Sequence, residues 1–223
     1  ARELSQETKS EVVAVLITPQ YDRSLAELTA YGADRVLVLD NSQLGLVCGR
    51  AVVNSLAEVF AKESPYAVLF AATADGRDLA SRLAAKFELG LTGDAMDLEI
   101  DADGRLVQLK PALGGNVIAP ILSRTLPNLV TIRPGLLSPA VPEPSTPVQI
   151  EHIPRIPFDG SDVRLTNEIF QEDQEALALA NAPVVVGIGM GVGSAEGLRQ
   201  VQAMARSVEA TVGTTRDVVH EGW

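Results

Sequence analysis

Val184-Val185-Val186-Gly187-Ile188-Gly189-Met190-Gly191-Val192-Gly193-Ser194-Ala195-Glu196-Gly197 decides how this chain is read. Three β-branched residues lead into four alternating glycines, and a stretch with helical spacing follows. This is the signature of a strand that turns into a helix with a phosphate-cradling N-terminus. Glycines let backbone N–H groups approach an anionic oxygen, and the helix dipole favours the negative charge. The run reads G-x-G-x-G-x-G rather than G-x-G-x-x-G, and no acidic residue follows at the end of a clear second strand to hold a ribose. Taken alone it fits nucleotide or flavin binding, or a tight structural turn.

Upstream of this run the first 90 residues alternate strand and helix signals. Residues 12–17 form a continuous apolar run, as in a strand buried on both faces. Ser24-Leu25-Ala26-Glu27 fits a capping box that opens a short helix toward Gly32. Residues 36–40 and 66–72 predict further strands, residues 49–62 carry helical spacing, and Thr73-Ala74-Asp75-Gly76-Arg77-Asp78 opens a helix running to about Glu88. Strands separated by helices imply right-handed crossovers and a parallel sheet. Residues 97–110 instead alternate polar and apolar around Asp103-Gly104, a hairpin signature. Short apolar runs at 117–122 and 129–132 complete an expected α/β fold: a three-layer, mostly parallel, Rossmann-like sheet with an antiparallel extension.

Six prolines between Pro139 and Pro157 suit an extended crossing segment or linker, and six acidic residues between Asp159 and Glu175 suit a solvated face or a docking surface. A new βα unit begins near Ala182, with a helix at about 194–208 and a short strand near Thr211. The expected division is an α/β domain over 1–148, a linker over 149–180, and the start of a second Rossmann-like domain over 181–223.

The 223 residues are 46% hydrophobic and 21% charged, with a formal net charge of −11. That acidity argues against sequence-independent nucleic-acid binding and against docking on anionic membranes. No apolar run is long enough for a spanning helix. The opening Ala1-Arg2-Glu3-Leu4 stretch is charged and has no apolar core, unlike a secretory signal. Cys48, the one cysteine, forms no internal disulfide, so a cytoplasmic protein is expected.

Other candidate sites each have an ordinary structural reading beside the functional one. Thr73 to Asp78 sits at the carboxyl end of an expected parallel strand, where α/β sheets bind ligands. The same residues fit a helix cap with surface ion pairs. Leu113-Gly114-Gly115-Asn116 is turn chemistry, and Arg133-Pro134-Gly135 is a turn whose arginine can pair with a carboxylate or a partner chain. His152 and His220 are the only histidines and lie far apart. No spacing suggests a metal site, and no nucleophile elbow appears. No catalytic residue is therefore expected.

Several motifs occur in order: Tyr31-Gly-Ala-Asp34-Arg35-Val36-Leu-Val-Leu-Asp40, Thr73-Ala-Asp-Gly76-Arg77-Asp78-Leu79-Ala, Leu91-Thr92-Gly93-Asp94, Lys110-Pro111-Ala-Leu-Gly114-Gly115-Asn116 and Thr131-Ile-Arg133-Pro134-Gly135. Each is weak; the ordered set resembles the N-terminal domain of the electron transfer flavoprotein α subunit. The glycine run with Val212-Gly213-Thr214-Thr215-Arg216 resembles the start of that family's FAD domain. The resemblance implies an αβ heterodimer, with a β subunit as partner and FAD held mainly by the α subunit. It implies an electron carrier from acyl-CoA or other dehydrogenases to a quinone-linked oxidoreductase or another acceptor. The wording of 110–121 is closest to the bacterial branch linked to anaerobic or nitrogen-fixation metabolism, some members of which bifurcate electrons.

Carried over residue by residue, Gly189, Met190 and Gly191 fall on the family's glycine loop, with Met190 where an arginine normally contacts FAD. Thr215 and Arg216 fall on its Ser-Arg pair near the flavin. Arg216 is the residue expected to tune the ring, because a guanidinium there favours negative charge on it and raises its potential. The family's opening strand and its later cofactor motifs find no counterpart here, so the 223 residues resemble a fragment expected not to hold FAD alone. The alternative is a non-redox α/β module or scaffold that takes an adenine nucleotide near residues 73–78.

Overall fold

The computed structural model describes residues 1–18, 24–40, 49–143, 149–153, 166, 167, 169 and 171–223, without the side chains of residues 18, 24–26 and 40. Cys48, the Ser24 side chain of the expected capping box and most of the acidic stretch 159–175 lie outside the described residues. The chain divides into two compact units, Ala1–Leu165 and Thr166–Trp223.

The first unit runs α1 (Arg2–Thr8), β1 (Val13–Thr18), α2 (Ser24–Ala30), β2 (Arg35–Asp40), α3 (Gly49–Glu63), β3 (Ala67–Ala71), α4 (Ala74–Phe87), β4 (Leu91–Ala95), β5 (Asp97–Ile100), β6 (Leu106–Ala112), β7 (Val117–Leu122), β8 (Asn128–Ile132) and β9 (Gln149–His152). Its described strands form two parallel ladders, β1-β2-β9 and β3-β8-β4, and one antiparallel ladder, β5-β6-β7. The parallel set with an antiparallel extension is the architecture the sequence predicts.

Apolar continuity places the middle strands. Val36, Leu37, Val38 and Leu39 of β2 are buried, as are Leu129 and Val130 of β8. Leu37 and Leu39 pack with Val52, Val53 and Leu56 of α3, Leu83 of α4, and Ile153. The Phe60 and Phe87 rings stack 5.5 Å apart between α3 and α4. A second cluster joins Ala95, Leu106 and Val130, with Leu4, Leu69, Leu98 and Ile100 packed against it, and so fastens the antiparallel ladder to the parallel one.

Residues 149–152, expected at the start of the linker, instead form β9. They pair in parallel with β2, Arg35 opposite Gln149 and Val38 opposite His152. Ion pairs reinforce this edge. Arg35 meets Glu11 at 3.1 Å, Glu63 at 2.5 Å and Glu151 at 3.8 Å, and Lys62 also holds Glu151. The Lys62 hydrogen bond holds the Glu151 carboxyl below the usual carboxylate range, and the hydrogen bond to Glu63 raises Arg35 further.

The second unit runs α5 (Gln174–Asn181), β10 (Val185–Ile188), α6 (Ala195–Ser207), β11 (Thr211–Thr214) and α7 (Arg216–His220). α5 also falls within the expected linker, and it is a capped helix. The Asp173 carboxylate accepts from the Ala176 N–H, and α5 packs against β11, where Leu179 sits over Gly213.

Candidate functional site

β10 and β11 are parallel and in register, with Val185 opposite Thr211 and Ile188 opposite Thr214. Both strands therefore end at the same edge, and the segments leaving them start side by side. The Thr215 N–H donates to the Ile188 carbonyl at 2.9 Å and closes that edge.

The glycine run leaves β10 through Gly189, which is extended, and folds Met190–Val192 into a single 3-10 turn. The Val192 N–H donates to the Gly189 carbonyl and the Gly193 N–H to the Met190 carbonyl, both at 3.1 Å. Gly193 takes φ +76°, the left-handed conformation glycine supplies without strain. Ser194 then caps α6, its hydroxyl accepting from the Gly197 N–H at 3.1 Å. Gly197 has a different reason. A Cβ there would lie 2.4 Å from the Val192 carbonyl oxygen, so only a glycine lets the turn rest on the first turn of α6.

These bonds also show which donors remain. Val192, Gly193, Gly197 and Leu198 have their N–H groups engaged. Those of Met190 and Gly191 in the turn, and of Ala195 and Glu196 at the positive end of the 13-residue α6, have no partner among the described residues. The one acid in that first turn, Glu196, is paired with Arg199 at 2.6 Å, which offsets its repulsion of an anion.

Beyond the edge strand, Thr215 and Arg216 are exposed. The Thr215 hydroxyl makes no capping bond to α7. Arg216 has no hydrogen-bond or ion-pair partner among the described residues. The structure thus brings Gly189, Met190, Gly191, Thr215 and Arg216 to one strand edge. Its donor set is backbone N–H groups, one hydroxyl and one guanidinium, which fits the phosphates of a nucleotide-type cofactor such as FAD. Met190 is 42% exposed and offers only a thioether, so at this loop anion contacts fall to the backbone.

The first unit has its own carboxyl edge. Thr73 caps α4, with its hydroxyl accepting from the Gly76 N–H, and Asp78 pairs with Arg82; both are the ordinary structural reading of that motif. A Cβ on Gly76 would stand 1.9 Å from the Ala71 carbonyl oxygen, so α4 starts tight against the end of β3.

Arg77 does more than pair locally. Its Nε and one terminal nitrogen donate to Asp94 Oδ1 at 3.1 and 2.9 Å, and Arg133 approaches Asp94 Oδ2 at 3.9 Å. Asp94 has φ +58° at an irregularity in β4, and its N–H donates to the buried Thr131 hydroxyl at 2.8 Å. This convergence was not legible in the sequence, where Asp94 carried no role. The one signal was Gly93-Asp94, which interrupts an otherwise regular strand.

Residues 1–157 match the electron transfer flavoprotein domain, and residues 178–223 match the electron transfer flavoprotein FAD-binding domain. The "Electron transfer flavoprotein subunit alpha" of Thermoanaerobacterium thermosaccharolyticum is 32% identical over the whole chain, which covers 68% of that protein. "Protein FixB" of Bradyrhizobium diazoefficiens is 31% identical, with 100% of this chain and 62% of that protein aligned. The "Lactate dehydrogenase (NAD(+),ferredoxin) subunit LctC" of Acetobacterium woodii is 32% identical, again over the whole chain and 53% of its own length.

Proposed function

This chain belongs to the electron transfer flavoprotein family, and from that premise we propose that it serves as the α-type subunit of a cytoplasmic electron carrier. FAD supplies the redox chemistry when bound, taking up electrons from a donor and passing them to an acceptor. The chain's own residues bind and orient it. The N–H groups of Met190, Gly191, Ala195 and Glu196 would donate to its phosphate oxygens near the carboxyl edge of β10 and β11. Thr215 and Arg216 face the same edge, and Arg216 places fixed positive charge beside the cofactor. A β-type subunit completes the heterodimer. Flavin-linked dehydrogenases deliver the electrons, and a quinone-linked or other acceptor takes them. No helix among the described residues is long and apolar enough to cross a membrane.

The observation that carries this reading is the Thr215 and Arg216 side chains, without hydrogen-bond or ion-pair partners among the described residues, beside the glycine turn. The test uses the complete subunit with its partner. We expect visible flavin bands, with a potential that falls and an FAD affinity that weakens by about tenfold in Arg216→Gln, the loss of one charge-assisted contact. A complex without flavin bands refutes the proposal.

A further inference from the structure

Three parallel strands of the first unit end together, and each sends one charged side chain to the same place. Arg77 comes from the first turn of α4 after β3, Asp94 from the irregularity in β4, and Arg133 from the residue just past β8. The register fixes the meeting point, because Ile132 lies opposite both Ala71 and Ala95. The Arg133 N–H donates to the Ala95 carbonyl at 3.3 Å, which holds the base of its side chain there.

The cluster is electrostatically unfinished. Two guanidinium groups share one carboxylate, so one positive charge is left over, on a chain whose net charge is −11. Arg77 is well engaged; Arg133 is not, with 3.9 Å to its nearest carboxylate oxygen. Both arginines are about half exposed, at 52% and 50%. Each keeps donors that Asp94 does not use, since a guanidinium carries five N–H groups. Asp94 is held in a left-handed conformation that is uncommon for a residue with a side chain, and the Thr131 hydroxyl holds it there. That posture sets the carboxylate between the two arginines and orients the Arg77 fork at the carboxyl edge of a parallel sheet, where α/β folds take their ligands, while Arg133 is held there by its backbone.

We propose that Arg77 and Arg133, on either side of Asp94, form an oxyanion site in the first unit that binds a phosphate group. The phosphate belongs either to a nucleotide or to free inorganic phosphate. Asp94 acts as the positioning residue and as an internal competitor that the phosphate partly displaces from Arg133. Nearby acids limit the affinity: Asp75 lies in the same first turn of α4, while Asp78 is neutralised by Arg82.

The test titrates the chain at fixed ionic strength with inorganic phosphate and with AMP, following backbone amide NMR shifts. Saturable one-site binding is expected, with the largest shifts at Arg77, Asp94 and Arg133. Arg77→Gln and Arg133→Gln each weaken it about tenfold, the effect of losing one charge-assisted fork. Asp94→Asn strengthens it, because asparagine tolerates the left-handed backbone and no longer competes for the arginines. A purely structural ion cluster would leave phosphate binding unmoved by this last change. AMP binding tighter than phosphate identifies a nucleotide as the source; equal affinities identify free phosphate. The proposal is overturned by a titration that does not saturate, by affinity that survives both arginine variants, or by binding lost instead in Arg216→Gln. It is also overturned if phosphate fails to bind and the arginine variants weaken association with a partner subunit.

Discussion

Gly197→Ala puts the geometry of the glycine turn under direct test. The new methyl would stand 2.4 Å from the Val192 carbonyl oxygen, 3.2 Å from Val192 Cγ2 and 3.4 Å from the Val192 carbonyl carbon. Carbon–oxygen contacts settle at about 3.3 Å, so the turn and the helix must separate by about 0.9 Å. Neither side yields easily. Val192 is tied by its own N–H to Gly189, and Gly197 by its N–H to Ser194. Forced overpacking of this kind costs about 1–3 kcal/mol. In a unit the size of residues 166–223, each kcal/mol lowers the melting temperature by about 4–8 °C, giving a total of about 4–24 °C. Amide exchange across residues 166–223 on heating reports the unit directly. Amide exchange at Val192 and Gly193, whose N–H groups close the turn, reports the turn itself. Gly191→Ala is the internal control. Its methyl meets nothing within 4 Å, so it should stay within about 0.5 kcal/mol of the parent chain. If the Gly197→Ala and Gly191→Ala proteins melt together with the parent, the close approach of turn and helix is not what selects glycine at 197.

The remaining predictions concern the first unit. Glu151 has its carboxyl lowered by Lys62 in the folded state, so its contribution is fully present above the unfolded value of about 4.3 and is lost as pH falls through the folded value. Acidification through that window should therefore lower the protection factor of the Ile153 N–H, which donates to the Val38 carbonyl. Glu151→Gln should remove that pH dependence, and an unchanged profile would rule out the network as the fastening of β9. Asp101 is lowered in the same sense, chiefly by accepting from the Arg105 backbone N–H, so the β5–β6 turn should loosen over the same acid range by NMR. Leu83→Ala should cost about 2–5 kcal/mol in denaturant unfolding, since Leu83 is fully buried between α4 and the β2–α3 core. Val141→Ala, at a side chain 86% exposed, should change stability by less than about 0.5 kcal/mol.

Local features were legible because short-range physics sets them. The apolar runs at 12–17, 36–40 and 66–72 became β1, β2 and β3; Asp103-Gly104 turned the β5–β6 hairpin; Thr73 capped α4. Residues 149–152 were not legible. Their four residues, Gln-Ile-Glu-His, carry no run of apolar character, and six prolines around them argued for a linker. They became a strand because β2 had a free edge and because Arg35 and Lys62 offered charge for Glu151. Likewise, α5 fell in the expected linker, overlapping the acidic stretch only at Gln174 and Glu175, and it packs against β11.

The sequence by itself determined that the chain is an α/β protein, where its glycine run turns from strand to helix, and the ordered motifs of its family. Those rest on residue periodicity, turn chemistry and spacing, which need no distant partner. Only the tertiary structure decided what the glycines and arginines do. Gly197 is required by a carbonyl five residues earlier that folds back onto it. The Met190 and Gly191 N–H groups have no partner among the described residues, because the single 3-10 turn supplies carbonyls only to the N–H groups of Val192 and Gly193. Arg77, Asp94 and Arg133 meet because β8 pairs between β3 and β4, a pairing across tens of residues that no local propensity encodes.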